Sequence, residues 1–219
     1  MSQPDGDRNR KISSLMSTLR QLGIRDERLL DAMQAVPRER FVPAAYRDRA
    51  WDNHALPLDY GQTISQPYVV AVMTESLQLD GSEHVLEIGT GSGYQAAILA
   101  RLARDVVSIE RIGPLADQAR AVLQELGVAN VTIYTADGSE GWPDGAPWDA
   151  IIVTAGAPTA PQHLLDQLRE SGGRLVMPVG PEGAQTLIVV ERHEDGYDEQ
   201  DIGPVAFVPL IGKGGWPEP

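Results

Sequence analysis

Three acids and a glycine-rich turn, at fixed spacings, are the residues of this chain best suited to chemistry. Glu87 closes a short apolar run and passes at once into Gly89-x-Gly91-x-Gly93, with Thr90 inside the turn and a helix-compatible stretch, Ala96 to Leu102, behind it. Glycines let the backbone take positive φ and come close to a ligand, while the free N–H groups of a helix's first turn attract polar or anionic groups. Roughly twenty residues beyond the glycines, Glu110 stands where an acid accepts from the hydroxyls of a ribose. Asp137-Gly138 follows a third apolar run, in register for a carboxylate to accept from an adenine amino group while a backbone N–H donates to a ring nitrogen. The set describes a site for an adenosine-bearing cofactor.

NAD and S-adenosyl-L-methionine both present such an adenosine, and Gly91-x-Gly93-x-x-Ala96 also fits the dinucleotide fingerprint. Glu87 separates them: an acid directly before the turn faces a pyrophosphate unfavourably and suits an ammonium and a sulfonium. The elements that must carry these residues point the same way. Strand-like runs at His84 to Ile88, Asp105 to Glu110, Val131 to Thr135, Ala150 to Thr154 and Arg174 to Val179 alternate with helical runs at Tyr94 to Ala103, Pro114 to Leu126 and Ala160 to Glu170. That alternation predicts an α/β fold, a mostly parallel central sheet with helices on both faces. Thr186 to Arg192 pairs antiparallel with the strand before it across Gly180 to Gly183, and Val205 to Leu210 is expected to add one more strand. A dehydrogenase would need further βα units and a substrate domain, for which no chain remains. The plan resembles the Rossmann-like class I S-adenosyl-L-methionine-dependent methyltransferase fold, preceded by helices at Lys11 to Leu22 and Asp26 to Val36 and by a helix opening at Pro67.

With 219 residues the chain is expected to form a single domain, residues 11–219, after a flexible start at 1–10. Within it, 11–80 form a helical and substrate-loop region, 81–172 the cofactor-binding core and 173–219 the terminal strands and active-site cover. A formal net charge of −13 disfavours a nucleic-acid partner, since phosphate backbones demand concentrated Lys and Arg. Without cysteine there is no thiolate catalysis, disulfide or Cys-ligated metal, and His54, His84, His163 and His193 lack ligand spacing, so no metal is expected. No run of apolar residues is long enough for a membrane span or a signal segment. A cytoplasmic monomer is the expectation.

Four blocks narrow this further: Pro37-Arg38-Glu39-Arg40-Phe41-Val42-Pro43, Asp59-Tyr60-Gly61-Gln62-Thr63-Ile64-Ser65-Gln66-Pro67-Tyr68, Leu86-Glu87-Ile88-Gly89-Thr90-Gly91-Ser92-Gly93-Tyr94 and Phe207-Val208-Pro209-Leu210-Ile211-Gly212. In this order, from about Ile12 to Gly212, the chain resembles the protein-L-isoaspartate O-methyltransferase family. The resemblance implies methyl transfer to the free α-carboxyl of L-isoaspartyl residues in damaged proteins and peptides, leaving S-adenosyl-L-homocysteine and an ester that closes to a succinimide. It implies that Ser65 is the active-site serine, with Thr63, Ile64, Val208 and Ile211 beside the acceptor, and that Phe207 to Gly212 covers it. Ser65 also reads as the N-cap of the helix that follows. Arg38, Arg40 and Lys213 are candidates for local positive charge toward an anionic acceptor. Trp142 to Trp148 reads as internal packing rather than a peptide platform. The tail after Gly212 carries no part of the resemblance. Other readings that remain are a methyltransferase acting on a small molecule, and a non-catalytic or NAD-dependent binder.

Overall fold

The structure, a computed structural model, describes residues 3–217. The first helix, α1 (Gln3–Gln21), already includes most of the stretch expected to be flexible. Its buried stripe is Ile12, Leu15, Met16 and Leu19, and one of the preceding polar residues, Arg8, reaches Glu39 at 2.5 Å. Met1 and Ser2 lie outside the described residues. Helix α2 (Glu27–Ala35) starts where Asp26 accepts from the N–H groups of Arg28 and Leu29, and it buries Leu29, Leu30 and Met33.

Residues 38–66, aperiodic in sequence, form short 3-10 turns and a two-stranded ribbon, β1 (Leu56–Pro57) with β2 (Thr63–Ile64). Helix α3 (Pro67–Ser76) then opens on its proline. The central sheet comprises β3 (His84–Ile88), β4 (Asp105–Glu110), β5 (Val131–Thr135), β6 (Ala150–Val153), β7 (Gly173–Val179), β8 (Gln185–His193) and β9 (Gly196–Val205). Its spatial order is β5-β4-β3-β6-β7-β8-β9, parallel from β5 to β7 and antiparallel from there. Helices α4 (Tyr94–Leu99), α5 (Gly113–Glu125) and α6 (Gln162–Asp166) connect the parallel strands.

Alternate strand residues divide between two cores. Val85, Ile152 and Val176 join α1 to α5 on one face, while Leu86, Ile151, Val153, Leu175 and Met177 meet α6, Trp148 and Leu210 on the other. Both faces are therefore covered, as a parallel sheet requires. After β3 the chain crosses to β4 on one side, while β6 joins on the other. The crevice at this reversal, beyond the strands' C-terminal ends, is where such sheets bind ligands.

The final strand differs from the expectation. Of Val205 to Leu210 only Val205 lies in a strand, as the last residue of β9, and β9 is otherwise the polar, largely exposed stretch before it, which pairs with β8 through backbone groups. Phe207 to Leu210 instead runs beside Gly156, just past the end of β6, with a single bridge from Pro209 to Gly156.

Candidate active site

Backbone fit and two acids build the donor side. As β3 ends, Gly89 takes φ +95° and donates to the Ile109 carbonyl at 2.9 Å. Thr154, at the end of β6, donates its hydroxyl to the Gly89 carbonyl at 2.6 Å, and a Cβ at residue 89 would collide with that hydroxyl. Gly89 is thus required by both conformation and space. Glu110, buried at the end of β4, accepts from the N–H of Gly91 at 2.8 Å and of Ile112 at 2.9 Å. Each carboxylate oxygen is held in place and retains a lone pair for a further donor. Gly89, Thr90, Gly91, Glu110 and Gly138 line one wall of a cleft.

Glu87 and Asp137 stand behind that wall. Glu87 is fully buried and accepts from the Ser108 hydroxyl through Oε2, while Ser108 is paired in turn with the hydroxyl of Thr90. Its Oε1 has no partner, and burial pushes its carboxyl up to about 8, against the opposing effect of Ser108 and with a further rise from Glu110. An orphaned buried acid beneath the glycine turn fits a cationic group of a ligand, the one partner that would repay its desolvation. Asp137 accepts from Ser139 N–H at 2.9 Å and from Lys213 N–H at 3.3 Å. Burial raises its carboxyl, but these bonds and the nearby Lys213 charge outweigh that effect and leave it lowered. Its neighbour Gly138, not Asp137, faces the cleft. Gly93, the left-handed residue before α4, packs against Ala119 and sits outside the lining.

Loops build the opposite wall, from Gln62, Thr63, Ile64 and Ser65 on one strand of chain and Val208 to Ile211 on another. Ser65 is not the cap of α3: Gln66 takes that position, and Asn53 Oδ1 accepts from Tyr68 N–H at 3.0 Å. The Ser65 carbonyl accepts from Arg38 Nη2 at 3.0 Å. Arg38 overturns the expectation of a surface charge for the substrate. It is fully buried, it also donates to the carbonyls of Ala50 (2.7 Å) and His54 (3.4 Å), and its guanidinium lies 4.9 Å from the ring centre of Tyr94. One side chain thereby ties three points of the loop to the helix that follows the glycine turn. Arg40 and Lys213 are exposed and pair with Glu125 and Glu140.

The chain has been compared with known proteins. The model of the family "Protein-L-isoaspartate(D-aspartate) O-methyltransferase" matches residues 9–215. The chain belongs to this family.

A relative from Syntrophobacter fumaroxidans, protein-L-isoaspartate O-methyltransferase 1, is 57% identical over 194 residues, covering 89% of this chain and 90% of the relative. Another, from Parvibaculum lavamentivorans, is 50% identical over 213 residues, covering 96% and 95%. Among solved structures, a protein-L-isoaspartate O-methyltransferase superposes with a TM-score of 0.79 at 28% identity, over 93% of this chain and 66% of that one. A Plasmodium falciparum protein described as a putative member, solved with S-adenosyl-L-homocysteine, gives 0.77 at 23% identity over 90% and 97% and bears on the fold alone. The fold is that of the class I methyltransferases, as the sequence predicts.

Sequence reasoning missed two supports of the acceptor wall. Arg38 and Asn53 lie in an aperiodic segment, and nothing in their spacing marks them as holding a loop. Gln185 is a third: its amide brackets Phe207, accepting from the N–H at 2.8 Å and donating to the carbonyl at 3.2 Å. The two tryptophans, by contrast, pack as expected. Trp148 is fully buried against His84, with ring centres 4.2 Å apart, and Trp142 stacks on Tyr134 at 4.5 Å.

Proposed function

We propose that this chain moves the methyl group of S-adenosyl-L-methionine to the free α-carboxyl of L-isoaspartyl residues in proteins and peptides. S-adenosyl-L-homocysteine is the other product, and the ester closes unaided to a succinimide. The observation that supports the reading is that Ser65, which does not cap the helix after it, lines the same cleft as Gly89 to Gly91.

The cofactor supplies a methyl group on a sulfonium, which becomes a neutral thioether when the carboxylate oxygen takes the carbon. A carboxylic acid with a pKa of about 3.5 to 4 is already ionised at neutral pH, so no general base is needed and no metal has a task in the step. What remains is to hold oxygen, carbon and sulfur in line at roughly 3 Å and to keep water out. In this reading Ser65 donates to the acceptor carboxylate, assisted by Thr63, Ile64 and the backbone around Val208 and Ile211. Glu110 offers its two remaining lone pairs to the ribose hydroxyls. Glu87, behind the glycine turn, answers the amino-acid end directly or through water, with the oxygen that has no protein partner. Asp137 with Gly138 meets the adenine. The enzyme is read as a cytoplasmic monomer acting on proteins, with no nucleic-acid or membrane partner. Its net charge of −13 supports the first of those exclusions, and no described helix is long and apolar enough to cross a membrane.

Two peptides identical except for L-isoaspartate or aspartate at one position, incubated with methyl-labelled cofactor, test this. Label transferred to the isoaspartyl peptide alone is the expected result, and label on neither would refute the acceptor. Binding of NAD instead of S-adenosyl-L-methionine in calorimetry would refute the donor.

A further inference from the structure

The acceptor wall is held from behind by a residue just past the end of the family match at 215. Gly156, beyond β6, donates its N–H to the Val208 carbonyl at 2.8 Å and accepts from Leu210 N–H at 2.8 Å. The same carbonyl takes a second donor, the indole Nε1 of Trp216, at 3.1 Å. The backbone of Trp216 then closes a small loop. Its N–H donates to the Leu210 carbonyl at 2.7 Å, and its own carbonyl accepts from Gly212 N–H at 3.0 Å. Ile211, the lining residue, is enclosed between these two bonds.

The far side of the loop rests on the turn at the adenine end. Asp137 accepts from Lys213 N–H, and the Ser139 hydroxyl accepts from Gly214 N–H at 3.0 Å. Gly212 takes φ +147°, and a Cβ there would strike the Asp137 carboxylate. Three glycines in this loop, Gly212, Gly214 and Gly215, permit the close approach but give the chain no rigidity of its own. The rigidity has to come from anchors at its ends, and Trp216 supplies the one at Gly156.

We propose that Trp216 is a positioning residue for the acceptor: its indole and backbone fix the Leu210 to Gly212 loop so that Ile211 and Val208 are set against the substrate. The proposal rests on the assignment of Val208 and Ile211 to the acceptor site. It extends the functional machinery beyond the family pattern, to a residue that does not itself line the cleft.

Three variants of the full-length enzyme test it: Trp216→Phe, which keeps the ring and loses only the indole N–H, Trp216→Ala, and a chain ending at Gly215. Loss of an anchoring hydrogen bond should raise KM for an isoaspartyl peptide about fivefold in Trp216→Phe, and loss of the whole anchor should raise it about twentyfold in the other two. The kcat, and the affinity for S-adenosyl-L-homocysteine in calorimetry, should stay at wild-type values in all three. Peptide KM unchanged in Trp216→Ala would overturn the proposal. So would Trp216→Phe losing melting temperature, cofactor affinity and peptide affinity together, because Trp216 would then serve the fold alone. Ile211→Ala in the same assay keeps the two ideas apart: a raised peptide KM there, with Trp216→Ala silent, removes the anchor and leaves the acceptor site standing.

Discussion

The two walls of the cleft are made in opposite ways. The donor wall is a product of regular structure: Gly89, Thr90 and Glu110 sit at or just past the ends of adjacent parallel strands, and their spacing follows from the register Ile88 to Ile109. The acceptor wall has almost no regular structure, and Ser65, Val208 and Ile211 are held where side chains grip backbone carbonyls from behind. Arg38 takes three carbonyls, Gln185 brackets Phe207, and Trp216 pins Gly156. A wall of strand ends holds one cofactor with little adjustment. A wall of clamped loops can accept many peptides while keeping a few contact points fixed.

The sharpest test of this contrast lies on the donor side. If Glu110 holds the ribose as proposed, Glu110→Ala removes those charge-assisted bonds together with the acceptor of two loop N–H groups, and should weaken S-adenosyl-L-homocysteine binding about a hundredfold in calorimetry. Unchanged affinity would show that the cofactor is held elsewhere. On the acceptor side, Ser65→Ala should lower kcat/KM for an isoaspartyl peptide about thirtyfold, the value of one hydrogen bond to a carboxylate, with cofactor affinity and melting temperature untouched. If cofactor binding falls with it, the walls are not independent.

The third test is read in stability and concerns Glu87. Its folded carboxyl stands at about 8 against an ordinary value of 4.5, so the proton it retains stabilises the fold fully below 4.5, and that contribution is lost as pH rises through 8. Glu87→Gln cannot titrate and should flatten the decline. The melting temperature of the variant relative to wild type should climb by about 8 °C between pH 5 and 9, and a constant difference would place the proton elsewhere.

The donor wall was legible because it obeys period and length. The boundaries of β3, β4 and β5 match the strand-like runs residue for residue, because Val85, Leu86, Ile88, Val106, Ile109 and Ile133 give each run a local apolar signal even though β5, at the sheet edge, buries little else. Pro67 marked α3 for an equally local reason. Where tertiary contacts override local pattern, the sequence misleads. Arg38 looks like surface charge in its heptapeptide and is instead fully buried, held by loop carbonyls and the Tyr94 ring that are distant in sequence. The strand β9 escaped because its side chains are solvent-facing, so nothing apolar alternates along it.

That last strand has a consequence of its own. An open sheet edge is a template on which another chain can grow, and β9 offers ten residues of it. Asp198, Glu199 and Asp201 flank the edge on a molecule already strongly negative, so a second copy approaching in register would set carboxylate against carboxylate. Charge repulsion along this edge is screened by dissolved ions, so concentrated salt should make it the first place where copies stick together.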